Sequence, residues 1–118
     1  MMRAIAPQAG DPAVGGCENS DRRVAVMGFH GTEDTVVSID GGRRGRDEFV
    51  ARNHCTEETT PVDGATWCDG IPDNRQPCTC VSYNGCDEGY PVVWCEFNGP
   101  HTPAPNSGAT IWNFFSQF

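Results

Sequence analysis

The sequence predicts a layered α/β fold built from four short strands and two helices around an incomplete sheet. Apolar runs alternate with helical patterns along the 118 residues, as expected for parallel strands joined by helical crossovers. Glycine and proline together make up 23 residues, which excludes a long helical bundle or a coiled coil. These few elements cannot cover both faces of such a sheet, so the chain is expected to form part of a larger domain.

The first half of the chain contains two predicted strands and one predicted helix. A very short strand lies within 3–10, and a polar loop follows over 11–23. The continuous apolar run 24–29 predicts a strand that is buried on both faces. Asp40 is predicted to cap a helix over about 41–53. Four residues of this helix fall on one side: Gly42, Gly45, Phe49 and Val50.

The second half of the chain contains a long loop, two strands and a terminal helix. Residues 55–79 show no periodicity and are predicted as loop, apart from an isolated Trp67. Strands are predicted over 79–83 and 92–97, with turn-like residues between them. Ser107 is predicted to cap the last helix. The apolar residues of that helix recur at i, i+3, i+4 and i+7 and indicate a core-packing face: Ile111, Phe114, Phe115 and Phe118.

Composition predicts a weak hydrophobic core and excludes two classes of partner. The chain has no Leu and no Lys, and Leu, Ile, Val and Phe together number 20. Disulfides, a partner segment or both are therefore expected to support folding, and marginal stability is expected of the chain alone. A net charge of −8 argues against binding to a nucleic-acid backbone. No apolar run approaches the length of a membrane span, and nothing near Met1 is typical of a signal peptide.

Seven cysteines in a short acidic chain favour disulfides and an oxidising, extracellular compartment. Zinc is the alternative, with possible ligands His54, Cys55, Cys78, Cys80 and Cys86. Paired C-x2-C knuckles are missing, so disulfides are preferred and no metal or cofactor is expected. Because the number is odd, one thiol stays free or pairs with sulfur outside the chain.

Two side chains follow predicted strands at positions where α/β proteins carry reactive groups. Asp34 comes shortly after the strand 24–29, and His101 comes shortly after the strand 92–97. A carboxylate that orients an imidazole would fix its tautomer and stabilise the imidazolium formed when it removes a proton from a nucleophile. The two remaining histidines receive other roles: His30 is expected to donate to backbone near its strand end, and His54 is expected to be a surface residue.

The same segments resemble a known family. His30-Gly-Thr-Glu-Asp-Thr-Val-Val37 resembles the HGTxDxVV segment of α/β-hydrolases in the feruloyl esterase and polyhydroxybutyrate depolymerase group. In that pattern the aspartate is the triad acid, which maps onto Asp34. Gly99-Pro-His-Thr102 is similar to the GGHT segment, which implies that His101 is the triad base. Five further segments resemble the group in the same order: 3–10, 53–55, 83–86, 91–95 and 111–115.

This resemblance implies that residues 1–118 are the C-terminal portion of a single α/β-hydrolase domain, with its last parallel strands, terminal helices and a disulfide-rich loop. The implied protein is a secreted serine esterase that releases ferulate or related hydroxycinnamates from plant cell-wall polysaccharide. Its substrates would be feruloylated polysaccharide or small aryl esters. Acetylxylan esterases and polyhydroxyalkanoate depolymerases share the same skeleton and remain alternatives.

One element of the family pattern is missing from the sequence. The nucleophile of α/β-hydrolases lies in G-x-S-x-G on a turn before a helix. None of the five serines has that setting: Ser20, Ser38, Ser82, Ser107 and Ser116. Since the triad order in this fold is Ser, Asp, His, the nucleophile and the oxyanion-hole segment are expected before Met1 or on a second chain. The 118-residue chain alone is therefore predicted to be inactive.

The resemblance suggests one disulfide pairing, and a possible hairpin suggests another. Cys55 and Cys86 stand in the most family-like settings and are expected to pair. Cys80 and Cys95 could pair if their strands form a hairpin. Cys17, Cys68 and Cys78 stay unassigned, and one of them could bond to an N-terminal half of the domain. A different functional class remains open: a secreted, disulfide-rich binding module without catalytic chemistry, for which the cysteine density and the acidic surface argue.

Overall fold

A mixed five-stranded sheet forms the centre of the molecule. The computed structural model describes residues 2–11, 21–62, 66–69 and 71–118. The strands are β1 (Ala4–Ile5), β2 (Ala25–Gly31), β3 (Thr59–Pro61), β4 (Cys78–Tyr83) and β5 (Val92–Phe97). Their order across the sheet is β1-β2-β5-β4-β3. The predicted α/β class is confirmed at this level.

The sheet has a parallel half and an antiparallel half. β1, β2 and β5 run parallel, whereas β4 runs antiparallel to both β5 and β3. Between β2 and β5 the chain forms a long helix and then the strands β3 and β4, and only a short connection separates β4 from β5. Such a short connection joins antiparallel strands, because parallel neighbours need a crossover of a dozen or more residues. The predicted parallel arrangement therefore holds for only part of the sheet.

Among the described residues, two helices of at least eight residues pack near the sheet: α1 (Ile39–Arg52) and α3 (Gly108–Phe115). The prediction that Asp40 caps α1 is wrong. Ser38 is the N-cap, and its hydroxyl oxygen accepts a hydrogen bond from the Asp40 N–H at 3.3 Å. Asp40 lies in the first turn, where a carboxylate interacts favourably with the helix dipole. No helix in the described ranges has the length and apolar character needed to cross a bilayer.

The described part of the segment 55–79, predicted as loop, contains three short elements. These are β3, the four-residue helix α2 (Thr66–Asp69) and a 3-10 turn over Asp73–Arg75. Trp67 on α2 is not isolated, because it is 3% exposed and meets the rings of Phe29 and Phe97 edge-on. Its indole N–H donates to the Pro105 carbonyl at 2.6 Å. This tryptophan ties the long loop to the core.

The terminal helix uses only part of its predicted apolar face. Phe114 is buried, and Ile111 and Phe118 pack against the core cluster. Phe115 is 37% exposed, so its assignment to the core face is wrong. Ser107 occupies the N-cap position but its hydroxyl makes no capping bond; it donates instead to the Ala104 carbonyl at 2.9 Å.

Three disulfides cross-link the described part of the chain. Cys55 pairs with Cys86, and Cys80 pairs with Cys95, as expected. Cys80 and Cys95 are direct partners across the antiparallel β4–β5 pair, with Cα atoms 4.1 Å apart. The third pair joins two cysteines that the sequence left unassigned, Cys68 and Cys78. Cys17 lies outside the described residues.

These disulfides exclude the alternative zinc site. All four cysteines considered as ligands are bonded to sulfur. In the described ranges, no group of three or more His, Cys, Asp or Glu side chains is placed to hold a metal ion.

Candidate active site

The carboxyl ends of two neighbouring parallel strands form the candidate site. In the β2–β5 pair, Gly31 lies opposite Phe97, so both following loops leave the same edge of the sheet. The two loops are joined by backbone hydrogen bonds from Thr32 N–H to the Phe97 carbonyl (2.8 Å) and from Glu33 N–H to the Gly99 carbonyl (3.0 Å). A Cβ at Gly31 would collide with the backbone of Gly99 and Pro100. Glycine at this position therefore allows the two loops to lie in contact.

Asp34 is held in a fixed orientation by its own loop. Its Oδ1 accepts hydrogen bonds from the backbone N–H groups of Val36 (2.9 Å) and Val37 (2.8 Å). The Asp34 side chain has no solvent exposure. An aspartate that binds backbone N–H groups two and three residues ahead closes a local turn. The other carboxylate oxygen, Oδ2, is thereby directed to the neighbouring loop.

His101 contacts that second carboxylate oxygen. Its Nδ1 lies 2.9 Å from Asp34 Oδ2, and Nδ1–H donates to the carboxylate in the tautomer that fits this contact. The His101 side chain is 40% exposed, in contrast to the buried aspartate. Among the described residues, no protein group hydrogen bonds to the other ring nitrogen, Nε2. An unprotonated Nε2 is the atom that can take a proton from an attacking hydroxyl.

The electrostatics keep the Asp34 carboxyl ionised. Burial of the group acts to raise the Asp34 pKa. The hydrogen bond from His101 and those from Val37 and Val36 outweigh burial, and the net result is a pKa below the ordinary value. The site therefore combines a buried carboxylate with a partly exposed imidazole that the carboxylate orients.

The other two histidines lie apart from the exposed ring nitrogen. His30 is 1% exposed, and its Nε2–H donates to the Val37 carbonyl at 2.8 Å, which confirms the expected contact with backbone. His54 has a side chain that is 70% exposed, as expected for a surface residue. It also contacts Asp87, with Nδ1 2.7 Å from Oδ2, a contact that no sequence pattern indicated.

The described serines are engaged elsewhere or lie on other elements. Ser38 caps α1, Ser107 donates to Ala104, and the Ser116 hydroxyl donates to the Asn113 carbonyl. Ser82 lies in β4. Ser20 lies outside the described residues. No hydrogen bond joins any described serine to His101, in agreement with the absence of a G-x-S-x-G motif.

A partly exposed ion pair braces the strand that leads to His101, and sequence reasoning missed it. The guanidinium of Arg43 on α1 binds the Glu96 carboxylate of β5 through two hydrogen bonds of 2.9 and 3.0 Å. The Trp94 indole N–H donates to the same carboxylate at 2.8 Å. Burial acts to raise the Glu96 pKa, but these donors outweigh it and hold the pKa below its ordinary value. This arrangement fixes α1 against β5.

Curated feruloyl esterases match this chain over nearly its whole length. It is 34% identical to feruloyl esterase D of Neurospora crassa in an alignment of 125 positions, which covers 99% of the chain and 40% of that protein. It is 28% identical to feruloyl esterase C of Emericella nidulans, covering 97% of the chain and 40% of that protein. It is 30% identical to feruloyl esterase B of Piromyces equi, covering 100% of the chain and 23% of that protein.

These matches confirm the resemblance that the sequence motifs indicated. The chain spans about two fifths of the length of the first two relatives, as a C-terminal portion of a feruloyl esterase would. No family model matches the chain.

Proposed function

Because the chain is similar to feruloyl esterases, we propose that it is the C-terminal part of an α/β-hydrolase domain that hydrolyses carboxylic esters. The proposed substrates are feruloylated plant cell-wall polysaccharides, such as arabinoxylan, and small aryl esters of the same acids. The observation that carries this proposal is the contact between Asp34 Oδ2 and His101 Nδ1 at the carboxyl edge of β2 and β5. Ligand and catalytic sites of open α/β sheets lie at that edge.

In the proposed mechanism, a serine from outside the 118 residues attacks the ester carbonyl. His101 Nε2 takes the serine proton as the C–O bond forms, and Asp34 stabilises the resulting imidazolium. His101 then returns the proton to the departing sugar oxygen, and ferulate stays bound to the serine as an acyl-enzyme. Water, deprotonated by the same nitrogen, releases the acid and restores the serine.

The partner proposed for this chain is the remaining part of the same domain. β1 is an edge strand of the described sheet, and it runs parallel to its neighbour. Beside it, α1 and the sheet enclose a cavity of about 230 Å³. Apolar side chains supply much of its lining: Ile5, Pro7, Val26, Phe29, Phe49 and Trp94. An unpaired strand edge and an apolar cavity support the proposal that further strands and a helix pack here.

We also propose that the protein acts outside the cell. Three disulfides in the described residues support this, because such bonds persist in oxidising compartments.

Two forms of the protein test the proposed function. One is the 118-residue chain, and the other is the chain extended by its upstream coding sequence, each assayed with methyl ferulate. Only the extended form is expected to turn over the ester. In that form, His101→Ala should lower kcat/KM by roughly 10²–10⁴-fold, the contribution of a general acid–base. His54→Ala, which removes the exposed histidine, is the matched control and should leave the rate unchanged.

Three results would contradict the proposal. One is turnover by the 118-residue chain that His101→Ala abolishes, since the nucleophile would then lie within this chain. Another is an extended protein that hydrolyses neither feruloyl nor acetyl esters, which would favour the binding module. Preferential turnover of acetylated xylan would assign the site to an acetylxylan esterase instead.

A further inference from the structure

A second histidine lies against the same carboxylate that orients His101. His30 Nε2 is 3.3 Å from Asp34 Oδ2 and 2.8 Å from the carbonyl oxygen of Val37. The side chains of His30 and Asp34 are both fully buried. Asp34 Oδ2 is thus approached from two sides, by His101 in the neighbouring loop and by His30 at the end of its own strand.

The position of the proton on His30 follows from its partners. The Val37 carbonyl can only accept, so Nε2 must carry the hydrogen. The opposite nitrogen, Nδ1, is buried and has no hydrogen-bond partner among the described residues. A buried polar atom without a partner destabilises the fold. We therefore expect the contacts of the other ring nitrogen, Nε2, to offset this cost.

Val37 connects His30 to the second carboxylate oxygen. Its N–H donates to Asp34 Oδ1, and its carbonyl accepts from His30. Val37 therefore links His30 to Asp34 through two hydrogen bonds, and His30 Nε2 also lies 3.3 Å from Asp34 Oδ2. Loss of the His30 N–H would free the Val37 carbonyl and loosen the backbone donors that fix Asp34.

The helix that follows, α1, leaves room for the His30 imidazole. Gly42 in the first turns of α1 lies against His30, and a Cβ at Gly42 would overlap the imidazole at Nδ1. Glycine within a helix is less favourable than alanine by about 1 kcal/mol. The space that Gly42 leaves is occupied by the His30 ring, so the helix packs tightly against the nitrogen that has no partner.

We propose that His30 is a positioning residue: it aligns Asp34 Oδ2 with His101 through its contacts with that oxygen and with Val37. The geometric part of this inference is independent of the enzymatic activity. Its consequence for catalysis rests on the proposed esterase function. His30 itself does not touch the ester; it acts through Asp34.

A matched pair of variants isolates the N–H donor. His30→Phe keeps a planar ring and removes both nitrogens, of which only Nε2 has partners. His30→Gln places an amide N–H near the former Nε2. NMR of the extended protein would follow the Asp34 carboxyl through its pH titration and the ring nitrogens of His101 at neutral pH.

In His30→Phe, the Asp34 pKa should rise toward its ordinary value because its backbone donors loosen, and the Nδ1–H signal of His101 should broaden or vanish. His30→Gln should restore both. If the Asp34 pKa and the His101 tautomer are unchanged in a folded His30→Phe protein, His30 merely fills space and the proposal is wrong.

Gly42→Ala keeps His30 but perturbs the position of its imidazole from the side of α1. This variant tests the positioning role of His30 if His30→Phe does not fold. Its added methyl should displace the imidazole and raise the Asp34 pKa in the same way. Gly108→Ala is the control, because a Cβ there meets nothing within 4 Å. Equal Asp34 titrations in Gly42→Ala and Gly108→Ala would overturn the positioning role.

Kinetics of the extended protein separate this inference from the proposed function. His30→Phe should lower kcat roughly 10–100-fold through misplacement of His101, with KM nearly unchanged, and His30→Gln should recover most of the loss. A raised Asp34 pKa with unchanged kcat would contradict the esterase mechanism, whereas an unchanged Asp34 pKa would contradict the role of His30.

Discussion

Two His–Asp pairs with similar Nδ1–Oδ2 distances lie at opposite ends of strands β2 and β5. At the carboxyl edge of β2 and β5, His101 Nδ1 is 2.9 Å from Asp34 Oδ2; elsewhere, His54 Nδ1 is 2.7 Å from Asp87 Oδ2. The second pair lies at the amino ends of the same strands, because the adjacent Asn53 amide donates to the carbonyls of Val24 and Tyr90. The contact distance alone does not distinguish the two pairs.

Their surroundings differ in the features that matter for proton transfer. The Asp34 side chain is fully buried and backbone N–H groups hold its other oxygen, whereas the Asp87 side chain is 32% exposed. Asp87 Oδ2 is also shared with Arg23, at 2.6 Å. Hydrogen bonds from His54 and then Arg23 lower the Asp87 pKa, so the carboxylate there is shared between two hydrogen-bond donors. Full burial of the side chain and the backbone N–H groups that hold its other oxygen make the Asp34 pair a candidate for catalysis.

The largest expected difference between the pairs is in activity. Asp34→Asn should lower kcat of the extended protein by about 10⁴-fold, because an amide leaves His101 in the wrong tautomer. Asp87→Asn should leave kcat nearly unchanged. Initial rates with methyl ferulate measure both. A comparable loss in the two variants would remove the functional distinction between the pairs.

The next largest effect concerns stability around the exposed pair. The disulfide Cys55–Cys86 directly adjoins His54 and Asp87 and spans 31 residues, whereas Cys68–Cys78 spans 10. Replacing Cys55 and Cys86 by alanine should lower the free energy of unfolding by about 3–4 kcal/mol, and the shorter bridge should contribute about 1 kcal/mol less. Urea unfolding tests the order. Equal losses would show that native-state contacts, not loop length, dominate.

The pH dependence should separate the pairs by their sensitivity to salt. Both carboxyl groups have lowered pKa values when folded, so each contributes stability above the ordinary aspartate pKa of about 3.9 that is lost as pH falls through the folded value. About 1 M NaCl shortens the screening length to about 3 Å and should raise the Asp87 pKa more than that of buried Asp34. NMR titrations at low and high salt measure this. Equal salt shifts would show that Asp34 is solvated.

The smallest expected effect is the loss of the exposed imidazole. His54 has φ 56°, a left-handed conformation that asparagine tolerates. His54→Asn should therefore change the free energy of unfolding by less than about 1 kcal/mol, the usual range for an exposed ion pair. Thermal unfolding provides the measurement. A larger loss would mean that this pair anchors α1 to the sheet.

Sequence reasoning succeeded where a long apolar run or a motif carried the signal. The run 24–29 predicted β2, and the positions after two strands brought attention to Asp34 and His101, which the structure places in contact. It failed where the secondary-structure element was too short to leave a pattern in the sequence. β3 has only three residues, all exposed and one a proline, so neither alternation nor apolar content marked it.

Long-range contacts were the other source of failure. Trp67 looked isolated because the rings that it meets are far from it in sequence. The His54–Asp87 contact joins residues 33 positions apart with no motif to connect them. Such contacts are set by tertiary packing, which a single sequence does not display.

The most direct test of the central claim is labelling of the extended protein with an aryl fluorophosphonate, followed by peptide mass spectrometry. If Asp34 and His101 activate an external serine, one serine outside residues 1–118 should be labelled, and His101→Ala should slow that labelling by about 10²-fold or more. Labelling of Ser20, Ser38, Ser82, Ser107 or Ser116, or a rate that His101→Ala leaves unchanged, would contradict the claim.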